Sequence, residues 1–351
     1  MSSDDDASDR LAVRKRDHLR IALQEPVGFS SLVTGLDDVH VRPRALPERD
    51  LQAVDLSLHL WGRALAAPIL ISCMTGGVTE AGRVNRALAV AGQEHGVAVG
   101  LGSGRAVLEG GSPDSFAVRE VAPDVLLLAN LGAVQLHQYG PAACRRLVAV
   151  CQADALVLHC NAVQEAMQPG GDTAFGGLLN RISTLCEALD VPVMVKEVGF
   201  GLSGQDVTRL AEAGVAGVDV AGAGGTNWAQ VEGRRDTHAG AVATAFADWG
   251  LPTADAVREA RQALDDVDAR DVVLIGSGGL RHGVDALKVC CLGADLAAVA
   301  RGLLSAAAQG PEAATEAVGI LCEQLRVAAW AAGAGSIADL GPALLSSSPR
   351  K

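Results

Sequence analysis

Aromatic residues and long apolar runs are both scarce in this chain of 351 residues. Phe, Trp and Tyr together make up 3% of the sequence, although hydrophobic residues as a whole make up 49%. A large core must therefore be built mainly from Ala, Val and Leu, which suits close packing of helices on strands. No run of about 18 apolar residues is present, so the sequence predicts no membrane-spanning helix.

The chain also lacks an excess of positive charge. Its formal net charge is −12 at pH 7. This charge argues against nucleic acid as a partner, because binding a phosphate backbone requires a positive field. A small phosphorylated ligand, held in a local basic pocket, remains compatible with it.

The eight cysteines form neither a C-x-x-C pair nor a zinc-binding spacing. Several fall in apolar helix or strand patterns, where a free thiol behaves as a small hydrophobic group. The acidic, polar start of the sequence has no signal-peptide pattern. From these features we expect a reducing, cytoplasmic setting.

Short apolar runs recur along the chain after about residue 66. Eight of them have the length of strands, and helical patterns separate most of them, including one from Thr79 to His95 that Gly96 ends. The runs cover residues 69–73, 97–100, 125–129, 155–159, 193–196, 215–220, 272–275 and 296–300. Buried strands that alternate with helices in this number are typical of a parallel (β/α)8 TIM barrel. A doubly wound open sheet is the alternative, but no G-x-G-x-x-G follows the first strand.

In a TIM barrel the functional residues lie at the carboxyl ends of the strands. Polar residues or glycines follow all eight predicted strands in this chain. They are Met74–Gly77, Gly102–Arg105, Asn130, His159–Asn161, Lys196–Glu197, Ala221–Trp228, Gly276–Gly279 and Ala300–Arg301. The sequence therefore predicts a binding or catalytic site at this end of the barrel.

The segment His159–Glu165 follows the fourth predicted strand and holds the densest cluster of such groups. His159 and Asn161 point the same way, because side chains alternate along a strand. Gln164 and Glu165 come next in the loop. An imidazole, two amides and a carboxylate this close together can hold a divalent cation and an anionic substrate. A polar loop that only caps the strand is the alternative interpretation.

Gly278 and Gly279 after the seventh strand, with Ala300 and Arg301 after the eighth, match the common phosphate site of barrels. Glycine lets backbone N–H groups approach a phosphate, and the start of the next helix adds its dipole. The pattern fits a phosphosugar as well as FMN. Tight turns without a ligand are the structural alternative.

Lys196 ends an otherwise apolar strand, so its ammonium must emerge at the barrel mouth. It can form a Schiff base, pair with Glu197 or contact a flavin ring. Asn130, at the end of the third strand, can hydrogen-bond a heteroaromatic ring or simply cap its strand.

A long insertion, residues 226–252, follows the sixth strand. Insertions of this kind above a barrel are usually lids or active-site loops. Trp228 and Glu232 share one face of it if the segment is helical. Trp228 can contact a substrate or serve only in packing.

The N-terminal region has two parts. Residues 1–10 are acidic and polar, and we expect them to be disordered. Residues 14–20 are basic with a weak helical stripe, which predicts an arm that brings positive charge to an anionic ligand. A solvated basic helix or a membrane-surface patch is the alternative. Residues 11–335 would form one barrel domain that includes this arm, and residues 336–351 a C-terminal tail.

Taken in order along the chain, these motifs resemble the type 2, FMN-dependent isopentenyl-diphosphate isomerases. The resemblance covers roughly residues 12–330. It rests on Arg14-Lys15-x-x-His18, Met74-Thr75-Gly76-Gly77, Gly102-Ser103-Gly104-Arg105, Ala129-Asn130, His159-x-Asn161-x-x-Gln164-Glu165, Gln168-x-x-Gly171-Asp172, Val195-Lys196-Glu197-Val198-Gly199, Ala223-Gly224-Gly225-Thr226-x-Trp228 and Ser277-Gly278-Gly279. Only the last motif and the Ala300 turn are shared broadly with other FMN-binding barrels.

The resemblance implies the interconversion of isopentenyl and dimethylallyl diphosphate by a homo-oligomer, a tetramer or an octamer, with reduced FMN, Mg²⁺ and NADPH as the reductant. Implied FMN contacts are Cys73, Met74, Thr75, Ser103, Asn130, Lys196, Thr226, Gly278, Gly279, Ala300 and Arg301. Implied substrate contacts are Arg14, Lys15, His18, Ser103, Gly104, Arg105, His159, Asn161, Gln164 and Trp228. Glu165 would bind Mg²⁺, and Gln164 and Glu232 are the candidate catalytic residues.

Two other functions compete with this one. An FMN oxidoreductase acting on a 2-hydroxy acid or a nucleotide would need a His base paired with Arg, or a catalytic Cys loop. Cys73 and Cys160 lie near the mouth, but neither has an activating neighbour in the sequence. A non-catalytic flavin-binding protein would not require the basic arm together with Glu165.

Overall fold

A computed structural model describes residues 3–346, with side chains described from Ala12 onward. Within this range, eight parallel strands form a closed barrel that is surrounded by helices. Neighbouring strands in the barrel are successive in sequence, and the last strand closes onto the first. The predicted TIM barrel is therefore confirmed, and the open-sheet alternative is wrong.

The strands lie close to the predicted runs, and a short hairpin precedes them. The hairpin consists of β1 (Leu58–Leu60) and β2 (Arg63–Leu65). The barrel consists of β3 (Ile69–Ile71), β4 (Ala98–Ser103), β5 (Leu127–Gly132), β6 (Ala155–His159), β7 (Val193–Lys196), β8 (Gly217–Asp219), β9 (Val273–Ser277) and β10 (Leu296–Val299). β4 extends beyond its predicted end through an irregularity in register between Gly100 and Ser103.

The helices are α1 (Ser3–Gln24), α2 (Thr79–His95), α3 (Arg105–Leu108), α4 (Pro141–Cys151), α5 (Ala162–Met167), α6 (Leu178–Ala188), α7 (Gly204–Glu212), α8 (Trp228–Gly233), α9 (Thr237–Ala243), α10 (Thr253–Asp266), α11 (Gly283–Cys291), α12 (Arg301–Gln309) and α13 (Pro311–Ala331). The predicted helix between the first two barrel strands is confirmed as α2. Gly96 ends it in the left-handed region, with φ of 60°, a conformation that glycine adopts without a Cβ penalty. None of the described helices combines the length and apolar character needed to cross a bilayer.

The core has two layers, which follow from the alternation of side chains along each strand. In β6, for example, Ala155 and Val157 point into the barrel and belong to its interior cluster. Leu156 and Leu158 point outward and pack in the layer between barrel and helices. Small and medium aliphatic residues fill both layers, as the low aromatic content predicts.

The β1–β2 hairpin, which the sequence analysis missed, covers the amino-terminal end of the barrel. Its two-residue turn, Trp61-Gly62, has positive φ at both positions (46° and 82°), as in a type I′ turn. Trp61 and Leu65 pack with the interior cluster of the barrel, and the Trp61 ring lies against Gly217 at the start of β8. Because the hairpin covers this end, a ligand site is left to the opposite end.

The barrel is flanked by α1 and by a C-terminal tail. α1 includes residues 3–10, which we expected from their composition to be disordered; Met1 and Ser2 lie outside the described residues. Two 3₁₀ helices, Ile337–Asp339 and Pro342–Leu344, follow α13. The tail residue Ser346 donates its backbone N–H to the carbonyl of His40 at 2.8 Å, and residues 347–351 lie outside the described part.

Candidate active site

A cavity of about 700 Å³ opens at the carboxyl ends of the barrel strands. Residues after all eight strands line it, and α1 contributes Arg14, Lys15, His18 and further residues. Its volume falls in the range of ligand pockets, about 300–1,000 Å³. The site thus lies where the barrel prediction placed it.

Most of the residues that sequence reasoning selected come together in this cavity. They are Arg14, Lys15, His18, Cys73, Met74, Thr75, Ser103, Arg105, Asn130, His159, Asn161, Gln164, Glu165, Lys196, Thr226, Trp228, Gly278, Gly279, Ala300 and Arg301. Gly104 and Glu232 do not line it. The N–H of Gly104 donates to the carbonyl of Asn130 at 2.7 Å, and its α-carbon faces Leu147 of α4. Glu232 is fully buried behind Gln164.

The loops after β9 and β10 form a cradle for a phosphate. Gly278 and Gly279 have φ of 110° and 72°. A Cβ on Gly278 would lie 2.1 Å from the carbonyl oxygen of Gly222, so only glycine allows this close packing of the two loops. α12 begins at Arg301, and the N–H groups of a first helical turn have no acceptor within the helix. The N–H of Leu303 donates to the Ala300 carbonyl at 2.9 Å, which leaves the N–H groups of Arg301 and Gly302 available to an anion that the helix dipole also favours.

The side chain of Arg301 is bound to the end of α1, and its contact with FMN stays a prediction. Its Nε donates to the carbonyl of Ala22, and its Nη2 donates to the carbonyl of Glu25, both at 2.9 Å. These bonds satisfy carbonyls at the end of α1. Arg301 thereby fixes the end of the basic arm to the barrel, while its backbone N–H faces the phosphate cradle.

Lys196 and Asn130 lie at the floor of the cavity. The Lys196 Nζ donates to the carbonyl of Glu197 at 2.5 Å, so it does not form the carboxylate pair considered from the sequence. The Glu197 carboxylate instead accepts the N–H groups of Val198 and Gly199, each at 2.6 Å. Burial raises the pKa of Glu197 to about 7.

These features fit FMN. The phosphate cradle and the floor lie in one cavity of suitable volume, and the floor offers an ammonium and an amide toward a planar ring. The side chain of Asp219, on the strand next to Lys196, lies just below the floor and accepts the Ser277 hydroxyl at 2.5 Å. This bond holds the end of β9 against β8, next to the phosphate cradle.

His159 is a neutral imidazole. Burial, together with the positive charges of Lys196 and Lys15, lowers its pKa to about 3. Its Nδ1 lies 2.8 Å from Asn130 Oδ1, which assigns the proton to Nδ1, since an amide oxygen can only accept. The Nε2 atom is then an acceptor at neutral pH.

Amide and carboxylate groups are connected along one wall of the cavity. Asn161 Nδ2 donates to Glu165 Oε1 at 2.9 Å and to Gln164 Oε1 at 3.1 Å. The Glu165 Oε2 accepts the backbone N–H of Asp172 at 2.8 Å. Gln164 Nε2 donates to Glu232 Oε1 at 3.0 Å. Gln164 is therefore held at both ends of its carboxamide.

Glu232 is ionised although it is fully buried. Burial raises its pKa, but hydrogen bonds from His18, Gln164 and Arg235 outweigh that effect and hold it at about 2. His18 Nε2 lies 2.8 Å from Oε1, and Arg235 Nη1 lies 2.8 Å from Oε2. The His18 ring also packs edge-on against Trp228, with centroids 5.3 Å apart. A negative charge thus lies behind Gln164.

Positive charge is concentrated where α1 and the start of α3 reach the mouth. Lys15 Nζ donates to the carbonyl of Ser103 at 3.1 Å. Burial and the neighbouring Arg14 lower the pKa of Lys15 to about 8, and burial lowers the pKa of Arg14. Arg105 is partly neutralised by Glu109, at 2.7 Å. The arm therefore supplies a local basic pocket in an acidic protein.

In the part of the chain that the structure describes, the cavity has neither a ready-made cluster of metal ligands nor an activated cysteine. Among the described residues, no cluster of three or more His, Cys, Asp or Glu side chains is placed to hold a metal ion by itself. A single carboxylate such as Glu165 still fits Mg²⁺, which commonly binds one or two carboxylates together with substrate phosphates and water. Burial raises the pKa of Cys73 to about 11 and that of Cys160 to about 12, so neither is an activated thiolate.

Sequence reasoning missed several lining residues. Leu19 and Leu23 of α1 form an apolar part of the cavity wall, and Gln135 and Gln168 add amides. The weak helical stripe of the arm was a usable signal for the first two. Gln135 follows β5 within a 3₁₀ helix, Ala133–His137, and a polar residue this soon after a buried strand could have been selected in the same way as Asn130.

A family model described as FMN-dependent dehydrogenase matches residues 152–347. Solved structures share the fold at low sequence identity. A mutant flavocytochrome b2 with pyruvate bound has a TM-score of 0.70 at 20% identity, covering 98% of this chain and 89% of that one. A mandelate oxidase mutant with benzaldehyde has a TM-score of 0.65 at 21% identity, covering 95% of each chain.

Several relatives with higher identity carry one name. An isopentenyl-diphosphate delta-isomerase from Xanthobacter autotrophicus is 52% identical over 328 residues, which cover 92% of this chain and 94% of the relative. One from a Synechococcus species is 47% identical over 339 residues, covering 95% and 96%. One from Stutzerimonas stutzeri is 45% identical over 340 residues, covering 95% and 97%. This chain therefore belongs to the FMN-dependent, type 2 family of isopentenyl-diphosphate delta-isomerases.

Proposed function

We propose that this protein interconverts isopentenyl diphosphate and dimethylallyl diphosphate in isoprenoid synthesis, using reduced FMN and Mg²⁺. The observation that carries the proposal is the arrangement of three zones in one cavity. A basic zone with Arg14 and Lys15 suits a diphosphate, a floor with Lys196 suits a flavin, and Gln164 with the charge of Glu232 lies along the wall of the same cavity. The names of the relatives support this substrate.

The diphosphate would bind in the basic zone. Arg14 and Lys15 approach from α1, and Arg105 approaches from the loop after β4. Arginine offers paired N–H donors and lysine a compact charge, and both suit phosphate oxygens. Glu165, oriented by Asn161 and the N–H of Asp172, would bind Mg²⁺ jointly with the diphosphate.

Gln164 and Glu232 would act on the isoprenyl part of the substrate. An alkene is a poor base, and its protonation creates tertiary carbocation character. The ionised Glu232, 3.0 Å from Gln164, stabilises positive charge on this side of the cavity. A carboxamide is not a strong acid, so Gln164 would orient the substrate or relay a proton. When bound, reduced FMN supplies an electron-rich ring that stabilises the same charge and a proton at N5.

The remaining features are proposals of the same kind. NADPH would be the reductant of the flavin, and the protein would act in the cytoplasm, where its eight free cysteines stay reduced. We propose a homo-oligomer, a tetramer or an octamer. The exposure of Ile320 and Val327 on α13, 50% and 39%, supports a subunit contact there.

The oxidoreductase alternative is less well supported. Oxidation of a 2-hydroxy acid needs a base near neutral pKa to take up the hydroxyl proton. His159 beside Asn130 has a pKa of about 3, which makes it a poor base, and Glu197, whose pKa is about 7, does not line the cavity. The similarity to flavocytochrome b2 and mandelate oxidase is, at 20% and 21% identity, a similarity of fold.

The test is an anaerobic assay of the purified protein with FMN, NADPH, Mg²⁺ and isopentenyl diphosphate, in which dimethylallyl diphosphate is measured. We expect product only when both reduced FMN and Mg²⁺ are present. Parallel reactions with 2-hydroxy acids and oxidised FMN test the oxidoreductase alternative. Flavin binding without formation of dimethylallyl diphosphate would contradict the proposal.

A further inference from the structure

We infer that Gln135 is a further substrate-binding residue, whose carboxamide contacts the diphosphate between the loop of Arg105 and the loop of His159. The inference rests on the proposed function for the identity of the ligand.

The first observation is an unfilled hydrogen-bonding capacity. Gln135 is 6% exposed and lines the cavity. Its backbone carbonyl accepts the N–H groups of Gln138 and Tyr139, but its side chain makes no hydrogen bond with any residue that the structure describes. Its amide oxygen and nitrogen are not among the buried side-chain atoms that lack a partner, so they reach the open space of the cavity. The partner must therefore come from the cavity, as solvent or as ligand.

The second observation is that the chain makes room for this side chain. Gly132 ends β5 with φ of −67° and ψ of 136°, a conformation open to any residue. A Cβ at this position would nevertheless lie 1.9 Å from Gln135 Oε1 and 3.2 Å from His159 Nε2. A side chain at position 132 would therefore displace the flexible end of Gln135, because the carboxamide occupies that space. The same distances place the carboxamide beside the His159 ring.

The third observation is the position of Gln135 in the barrel. β5 lies between β4 and β6. The loop after β4 carries Arg105, and His159 and Asn161 come at the end of β6. Gln135, in the 3₁₀ helix after β5, thus fills the gap between two groups of residues proposed to surround the diphosphate.

The chemistry of His159 strengthens the argument. Its proton lies on Nδ1, toward Asn130, so Nε2 faces its surroundings as an acceptor at neutral pH. A neutral His159 cannot donate from Nε2 to a phosphate oxygen. The Gln135 carboxamide, whose Oε1 lies beside the same Gly132 position as His159 Nε2, carries two N–H donors, and rotation of the amide can offer them to an anion.

The experiment compares Gln135→Leu and Gln135→Glu with a control, Gln138→Leu, which makes the same replacement at an exposed position of the same turn. The readouts are kcat and KM for isopentenyl diphosphate, the Kd of inorganic pyrophosphate and the Kd of FMN. A hydrogen bond to a charged group corresponds to about a tenfold or greater change in affinity. We expect Gln135→Leu to raise KM and the pyrophosphate Kd at least about tenfold, and Gln135→Glu to raise both further by repulsion. The Kd of FMN, and all values for Gln138→Leu, should stay within about twofold of wild type.

A second variant tests the same contact without removing the glutamine. Gly132→Ala should push the carboxamide aside and weaken pyrophosphate binding. In a Gln135→Ala background, where the space is free, Gly132→Ala should add little. Non-additivity in this cycle is the signature of a direct contact.

The isomerase function and the role of Gln135 can be refuted separately. A wild-type protein that binds pyrophosphate through Gln135 but forms no dimethylallyl diphosphate would refute the isomerase function and leave this diphosphate contact in place. An active wild type, together with a folded Gln135→Leu variant of unchanged pyrophosphate Kd, would overturn the role of Gln135 alone.

Discussion

We predict that Lys15 makes the proposed isomerase activity sensitive to alkaline pH. Burial and the neighbouring Arg14 lower the pKa of its ammonium to about 8, from the ordinary 10.5. Above pH 8 the free enzyme loses this charge from the diphosphate zone. We therefore expect kcat/KM for isopentenyl diphosphate to fall about tenfold for each pH unit above 8 until the contribution of Lys15 is lost. That contribution corresponds to about ten- to a hundredfold in affinity.

The decisive variant is Lys15→Arg. A guanidinium stays protonated across the accessible range, so the alkaline decrease should disappear up to about pH 10, although the different geometry lowers the absolute value. Lys15→Met should be as weak at pH 7 as the wild type is at high pH. Lys288→Arg, which changes a partly buried lysine outside the cavity, is the control and should leave the profile unchanged.

The free energy of unfolding provides an independent test of the pKa of Lys15. A folded pKa below the unfolded one means that the ammonium is disfavoured in the folded protein. A pKa of about 8 in place of 10.5 corresponds to about 3 kcal/mol at pH values below 8. Lys15→Met should therefore raise the free energy of unfolding by up to this amount at pH 7, and the gain should vanish as the pH rises from 8 past 10.5.

The assay is steady-state kinetics under anaerobic conditions from pH 6 to 10, with denaturant unfolding measured at pH 7 and 10. If Lys15→Arg keeps the alkaline decrease of the wild type, the ionisation belongs to another group and the argument from burial is refuted. A less stable Lys15→Met variant at pH 7 would contradict the sign of the effect on folding.

Three further predictions concern the other zones of the cavity. Glu232→Gln removes the charge behind Gln164 and should lower kcat about a hundredfold or more. It should also lower the unfolding free energy by about 3 kcal/mol, because the partly buried Arg235 loses its nearest carboxylate. Glu165→Gln should raise the Mg²⁺ concentration for half-maximal activity at least about tenfold, measured by titration of activity with the metal. Iodoacetamide at pH 8 should leave turnover intact, because thiols of pKa about 11 and 12 at Cys73 and Cys160 carry little thiolate.

Matched measurements separate these outcomes from general damage. Glu212→Gln, which alters an exposed carboxylate on α7, is the control for both glutamate variants and should match the wild type. Unchanged kcat in Glu232→Gln, or an unchanged Mg²⁺ requirement in Glu165→Gln, would contradict the assigned role of that residue. Rapid inactivation by iodoacetamide, prevented by FMN, would show that a mouth cysteine is more reactive than its burial allows.

The barrel and the position of its site could be read from local sequence patterns. Strand-length apolar runs and helical stripes depend on residues close in the chain, so β3–β10 and α2 were predicted near their observed bounds. In a closed parallel barrel all strand ends meet at one mouth, so the residues after each run converge without further information. The family motifs could be recognised for the same reason, because each is a short segment with its own spacing.

The tertiary structure alone decided which side chains meet and in what state. Glu232 was selected as a catalytic residue, but its burial behind Gln164 and its ionisation depend on His18 and Arg235, which arrive from distant segments. The packing of Trp61 of the β1–β2 hairpin against the barrel interior depends on contacts between elements far apart in sequence. The same is true of the hydrogen bond from Arg301 to α1. Periodicity determines which face of an element is buried, whereas burial, pKa and hydrogen-bond partners are set by what packs against that face after the barrel closes.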